Sequence, residues 1–409
     1  MSRAQAAPVF EALGDPLPAA DEWPSWIAGR DRHTRARVKE GDETSIVHWF
    51  LFGTSFTDQP RVTSQPIDAN DIAAAVNARL LDFERALAQS NSGERAEFAR
   101  QELGTGATVR PRLLSLLERL MKEGETHARL AEAARALDDP SLEFAERSRM
   151  YRGRGLSSDT SVRINFAVEE ALRGLIPVLP GPVRRVGVIG PGLDVSDKQE
   201  GYDFYAPQTI QPFAIMDSLI RLGLARPDAL DLIAFDLSPR VNAHIGRAAT
   251  RAREGSSYTL HLPLDGEVSW TPALVDYWRR FGDAVGRPVP ATVPRGVGIL
   301  KLRAVSVRPA VVGRISISDL NVTAQHLPLV GAERFDLIIG TNVFLYYDRL
   351  EQGLAMASVS NMLKPGGVLL SNNALVEVPA IGLKSIGYSK TLYSNRDEDG
   401  DLVIWYQKQ

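Results

Sequence analysis

The sequence predicts an α/β protein: a mainly parallel sheet that ends in an antiparallel hairpin, preceded by a mainly helical segment. Three observations carry this. From Val183 onward, short apolar runs bounded by turn residues alternate with amphipathic stretches, the pattern of parallel strands joined by crossover helices. Before about residue 155, apolar residues recur at spacings of three and four, the period of one helix face. Near the end, two strand-like runs flank Asn395-Arg-Asp-Glu-Asp-Gly400, a turn-rich hairpin loop. The expected division is a helical domain over 1–155 and an α/β domain over 156–409, with insertions near 195–209 and 265–298.

In chain order, Val47 to Thr54 is a strand or a buried helical turn. Ile72, Val76, Leu80, Phe83 and Leu87 predict a helix that Asn70 can cap. A second helix starts near Pro111, harmless in a first turn, and carries Leu113, Leu114, Leu117, Leu120 and Met121; a third spans Thr126 to Leu137. The basic, glycine-rich stretch Arg152 to Thr160 is a connector, or else a lid or hinge that touches substrate. Helix Asn165 to Ile176 follows. Strands are expected at Arg185–Ile189, Leu230–Phe235, Tyr258–Leu262, Phe335–Ile339 and Val368–Ser371, with Ile299–Val307 and Val311–Ile317 as a hairpin or extended edge. Helices are expected at Gln211–Leu222, Val241–Arg251, Thr271–Val285 and Leu350–Leu363, and the terminal hairpin at Lys384–Tyr393 and Leu402–Tyr406.

The chain has 409 residues, 44% hydrophobic and 24% charged, enough for two to three domains with buried cores. Lys plus Arg number 47 against 50 Asp plus Glu, a net charge of -3 that gives no global reason to bind nucleic acid or an anionic membrane. The absence of cysteine excludes disulfides, thiolate metal sites and a cysteine nucleophile. The six histidines show no ligand spacing, so no metal is expected. Met1 to Asp21 lacks the apolar core of a secretory signal, and no run approaches the ~18 apolar residues of a membrane span. A soluble cytoplasmic protein is the expectation; the oligomeric state is not readable.

Gly190-Pro-Gly192 follows the first strand of the sheet, where a sharp turn needs positive φ and a ligand can approach bare backbone; an ordinary tight turn has the same text. Asp236-Leu-Ser-Pro239 sets a carboxylate at the end of the second strand, able to accept from both hydroxyls of a ribose, or simply to cap the next helix, for which Ser238 is at least as suited. Asn342 ends a later strand, and Tyr346 and Tyr347 follow it at a spacing that also suits plain packing. The Gly201-Tyr-Asp-Phe-Tyr205 insertion could grip a ligand through Tyr202 and Tyr205 or pack as a surface loop.

Three segments together carry a resemblance: Asp236 to Pro239, Phe335-Asp-Leu-Ile-Ile-Gly-Thr-Asn-Val-Phe-Leu-Tyr-Tyr-Asp348, and Leu363-Lys-Pro-Gly-Gly-Val-Leu-Leu370. With the terminal hairpin they resemble the class I S-adenosylmethionine-dependent methyltransferases over about Leu156 to Gln409. Gln211-Pro-Phe-Ala-Ile-Met216 and Thr341 to Asp348 look closest to the CheR-like branch, which acts on receptor glutamates. The resemblance implies a Rossmann-like, seven-stranded sheet, S-adenosylmethionine as cofactor, and methyl transfer to a small molecule or protein side chain. It implies cofactor contacts at Gly190, Gly192, Asp194, Asp236, Leu237, Asp319, Leu320 and Asn342, with Asp319 at the adenine. Asn342 and Tyr346 are the catalytic candidates, and Arg154, Tyr202 and Tyr205 the substrate or lid candidates.

The chain departs from that pattern where an acid is expected at Val188 and a third glycine at Asp194. Thr341 stands where CheR-like enzymes carry arginine, and Asn342 is not followed by the Pro-Pro-Tyr of many nucleic-acid methyltransferases. A non-catalytic scaffold on the same fold is therefore an alternative. An NAD(P)-dependent oxidoreductase is another, disfavoured because the third glycine of its motif would fall on Val195 and no Tyr-x-x-x-Lys pair is present.

Overall fold

The structure, a computed structural model, describes residues 1–62, 69–89, 93–136, 155–156, 162–194, 202–264, 269–293, 300–397 and 399–409. Two compact units form, and neither is continuous in sequence. A sheet unit takes Met1–Ala36, Thr160–Gly192 and Thr209–Gln409; a helical unit takes Arg37–Asp159 and Leu193–Gln208. These limits differ from a cut at residue 155, because the first 36 residues make their contacts with the sheet unit and part of the expected 195–209 insertion belongs with the helices.

The sheet unit holds a seven-stranded mixed sheet. Its strands are β1 (Arg185–Ile189), β2 (Asp231–Asp236), β6 (Ile315–Asp319), β7 (Phe335–Gly340), β8 (Leu363–Ser371), β9 (Leu383–Leu392) and β10 (Gly400–Lys408), and their order is β6-β2-β1-β7-β8-β10-β9. Neighbours from β6 to β8 pair in parallel, and β10 runs antiparallel to both β8 and β9. This is the predicted sheet with its terminal hairpin. Val186, Val188, Leu232, Ala234, Leu337 and Ile339 are buried, as expected of central parallel strands covered on both faces.

A separate antiparallel sheet is built from β3 (Tyr258–Leu264), β4 (Gly286–Val289) and β5 (Lys301–Val307), in the order β3-β5-β4. Tyr258–Leu262 is thus a strand but not part of the parallel sheet. The expected hairpin of Ile299–Val307 with Val311–Ile317 does not form: a helical turn at Pro309–Val312 separates the runs, and β6 pairs with β2 instead.

The helices of the sheet unit are α1 (Arg3–Leu13), α6 (Val162–Leu175), α7 (Gln211–Arg221), α8 (Pro239–Arg253), α9 (Pro272–Arg280) and α10 (Arg349–Met362). Helix α2 (Trp23–Phe52) contributes its residues up to Ala36 to the same unit. Ser2 and Gln5 form a capping box at α1, and Asp348 with Glu351 forms one at α10. Gly353 lets α1 approach α10, since a Cβ there would collide with Val9. A separate charged cluster joins α6 and α7: the buried Glu169 on α6 and Asp217 on α7 both pair with Arg221, and Ser218 donates to Glu169 at 2.7 Å. Burial raises the Asp217 carboxyl despite Arg221, and pushes the Tyr277 phenol well up.

In the helical unit, the later part of α2 packs with α3 (Ala69–Ala88), α4 (Gly93–Leu103) and α5 (Val109–Ala136). Val47 to Phe52 is helical, the second of the two readings. Asn70 lies in the first turn of α3 rather than before it, and the two helices expected between Pro111 and Leu137 are one that runs through Gly124. Leu113 and Leu116 face the core while Leu114 and Met121 are exposed. Arg79 is fully buried and ties the end of α2, donating to the carbonyls of Phe50 (2.8 Å), Gly53 (2.5 Å), Gln59 (3.0 Å) and Pro60 (3.1 Å). Burial pushes its pKa down to about 10, so it remains a cation at neutral pH. No described helix is long and apolar enough to cross a membrane.

Candidate functional site

From β1 the chain builds outward to β2 and β6, then returns to the other side of β1 with β7 and β8. That reversal makes the β1/β7 boundary a topological switch point, where α/β sheets leave a crevice beyond their carboxyl ends. Gly190 and Asn342 flank it. Gly190 and Gly192 have φ of 65° and 72°, a region that side chains disfavour. The Gly190 N–H donates to the Phe235 carbonyl at 2.8 Å, and a Cβ on Gly190 would come within 2.7 Å of Val343 Cγ2. The turn after β1 is therefore pressed against the residue that follows Asn342. Val188 is fully buried within β1.

Asp236 closes β2 and is half-buried, as is Leu237. Asp236 Oδ1 accepts from the Ser238 N–H at 2.8 Å, an Asx turn, while Asn242 Nδ2 donates to the Asp236 carbonyl at 3.1 Å. Ser238, not Asp236, occupies the N-cap of α8, and its hydroxyl makes no capping bond.

Directly opposite Asp236 in the parallel register stands Asp319, at the end of β6. It is exposed but engaged: Arg35 Nη1 lies 2.7 Å from its carboxylate, and Arg35 Nε also bonds both oxygens of Asp31, at 3.0 and 3.1 Å. Asp31 in turn accepts from the buried Asn321 at 2.9 Å. Partial burial works against the Arg35 charge, but these hydrogen bonds raise its pKa overall. Leu320 is buried beside them.

Asn342 follows β7 and is the one non-glycine residue of the described chain at positive φ, 57°. It is exposed, and its backbone N–H and side-chain oxygen both bond Asn372, each at 2.8 Å. Below it, Gln211 Nε2 donates to Thr341 Oγ1 at 2.7 Å, both residues buried. Tyr346 and Tyr347 are buried in the turn before α10.

The remaining expected residues belong to the helical unit or fall outside the described residues. Asp194 belongs to the helical unit, where its carboxylate accepts from Tyr205 Oη and Gln208 Nε2, both at 3.4 Å. Tyr202 and Tyr205 are buried in that same unit, Tyr202 beneath Arg61. Tyr205 also lines a cleft of about 580 Å³ with Phe56, Arg85, Arg95 and Phe204. Arg154 lies outside the described residues. Sequence reasoning missed Asp31, Arg35 and Asn372; only the Asp31/Arg35 spacing of four was visible as a local signal.

No family model matches the chain, and no curated protein matches it. Among solved structures, it is similar to the N-methyltransferase NodS from Bradyrhizobium japonicum with S-adenosyl-L-homocysteine, at 15% identity over 59% of this chain and 87% of that one, TM-score 0.29. A TehB-like SAM-dependent methyltransferase from Corynebacterium glutamicum is 13% identical over 66% and 98%, TM-score 0.28. Magnesium protoporphyrin IX methyltransferase from Synechocystis is 11% identical over 64% and 84%, TM-score 0.27.

Proposed function

We propose that the sheet unit binds S-adenosylmethionine across the carboxyl ends of β6, β2, β1 and β7 and that the protein transfers its methyl group to an acceptor. One observation carries the reading: at a topological switch point, adjacent strands end in Asp319, Asp236, the Gly190-Pro-Gly192 turn and Asn342. The residues suit such a nucleoside. Asp236 uses one oxygen to shape its own turn and stands where ribose hydroxyls would reach its carboxylate, and the glycine turn exposes backbone beside it. When bound, the cofactor supplies a methyl group already activated by sulfonium. The chain's own task is to align an acceptor and exclude water. The resemblance of Gln211–Met216 and Thr341–Asp348 to the corresponding segments of CheR-like enzymes supports a CheR-like reading, with a small molecule or a protein side chain as acceptor.

The engagement of Asp319 by Arg35, with Val188 in place of an acid, favours the second reading, a scaffold that keeps the fold without the cofactor. Calorimetry with S-adenosylhomocysteine separates the two. Wild type binds with one site per chain, and Asp236→Ala loses on the order of ten- to a thousandfold in affinity, since each charge-assisted bond contributes about 1.5 to 3 kcal/mol before water compensates. No binding by wild type, or a change within about threefold in Asp236→Ala, refutes the cofactor site.

A further inference from the structure

The Asn342 carboxamide is held by partners that leave no choice of hydrogen-bond polarity. Its backbone N–H, a donor only, bonds Asn372 Oδ1 at 2.8 Å, so the Asn372 amide nitrogen faces the other way. That nitrogen donates to Asp401 Oδ1 at 3.0 Å, where a carboxylate can only accept, and to Asn342 Oδ1 at 2.8 Å. The second Asp401 oxygen accepts from the Tyr393 hydroxyl at 2.6 Å. Burial, with Asp401 beside it, drives that phenol far above its ordinary range and keeps it a donor. Arg163, bonded to Asp399 at 3.1 Å, lies over the Tyr393 ring and fixes the far end. The amide flip open to an isolated asparagine is therefore blocked from both sides. With Oδ1 occupied, the exposed Asn342 is left with its NH2, which bonds no described residue.

We propose that Asn372, Asp401 and Tyr393 are positioning residues that present the Asn342 NH2 as a donor at the switch point, and that it receives a carboxylate at the tail of the bound nucleoside. The inference rests on the nucleoside reading above. With the base toward Asp319 on β6 and the ribose at Asp236 on β2, the tail crosses β1 and reaches β7, three strand spacings or about 14 Å from β6. An ammonium group there would meet another donor; a carboxylate is matched by a charge-assisted bond.

The test titrates the full chain with S-adenosylhomocysteine and with its decarboxylated analogue, which keeps the ammonium group. Wild type should prefer the carboxylate-bearing probe by about tenfold or more. Asn342→Asp keeps the oxygen that accepts from Asn372 but turns the outward donor into an acceptor, and should abolish the preference. Asn372→Asp should abolish it as well, by drawing the Asn342 NH2 inward, while affinity for the decarboxylated probe stays within about threefold. Because that variant sets two carboxylates side by side, Asn342→Asp carries the test alone if it does not fold. Side-chain amide NMR adds a readout independent of ligand: the Asn372 NH2 is protected from exchange in wild type and loses protection in Asp401→Ala. Equal affinity of wild type for the two probes, a preference retained in Asn342→Asp, or an unprotected Asn372 NH2 overturns the proposal. A wild type that binds neither probe overturns the nucleoside reading itself.

Discussion

Asp203 offers the sharpest test of the helical unit. Only 1% exposed, it accepts from Trp49 Nε1 (2.6 Å), the Thr54 N–H (2.7 Å) and hydroxyl (2.9 Å), and the Ser55 N–H (3.0 Å) and hydroxyl (2.5 Å). Replacing it by alanine strands three donors that cannot rotate away, the indole and two backbone N–H groups. Each unsatisfied buried donor costs about 1 to 3 kcal/mol, and water entering the space recovers part, so Asp203→Ala should lose about 3 to 5 kcal/mol. Arg95, buried nearby and pushed down by desolvation, also loses a carboxylate that supports its charge. Asp203→Asn keeps one accepting oxygen and should lose about half as much. Urea unfolding followed by far-UV circular dichroism measures both. Burial opposes the Asp203 charge, but the Ser55 and Thr54 bonds outweigh it and lower the pKa. A depressed carboxylate contributes stability that is complete above its unfolded pKa and disappears as pH falls through the folded value. The gap between wild type and Asp203→Asn should accordingly close below about pH 4. A loss under ~1 kcal/mol for Asp203→Ala, with no closing of the gap in acid, would refute the reasoning, since each stranded donor alone should exceed it.

Three further outcomes are expected. Arg35→Ala should change stability by less than about 1 kcal/mol, because its pair with the exposed Asp319 is screened, yet tighten S-adenosylhomocysteine about threefold or more by releasing that carboxylate; a fall in affinity would make Arg35 part of the base subsite instead. Gly353→Ala should destabilise the sheet unit by about 1 to 3 kcal/mol, as its methyl displaces Val9 of α1, and calorimetric unfolding would show it. Gly155→Ala puts a Cβ within 2.6 Å of Arg37 O, Glu40 Cβ and Gly41 N at a φ of 78°, so hydrogen exchange at Leu156, which donates to Arg37 O, should accelerate.

The central strands were legible because both their faces are buried, leaving apolar runs at Val186–Ile189 and Leu337–Ile339 that no solvent-facing residue interrupts. Gly190, Asp236 and Asn342 were legible as strand-end residues for the same reason. Helix α2 was not, because Arg30 to Glu43 presents charge on every side and Arg30 and Arg35 find their carboxylates at Asp348, Glu351 and Asp319. Helix α4 hides similarly, with a buried arginine in its first turn. Whether a strand such as β3 joins the main or the accessory sheet depends on its partner, and an apolar run has the same text in either. Asn372 bonds Asn342 across a turn, and Asp401 bonds Asn372 from the terminal hairpin; nothing near them in sequence marks that convergence.

The dispersed make-up of the sheet unit constrains how the protein is born. Gln5 contacts His326, Arg30 contacts Asp348 and Asp31 contacts Asn321, so α1 and the start of α2 leave the ribosome some 290 to 321 residues ahead of their partners. At roughly 5 to 20 residues per second that interval is about 15 to 60 s. Throughout it, Val9, Phe10 and Trp23, all buried in the finished fold, are open to nascent-chain binding factors and to neighbouring polysomes. Yield during synthesis should therefore depend on translation speed and chaperone supply more steeply than refolding of the completed chain does, because only the vectorial route separates the first helix from its seat in time.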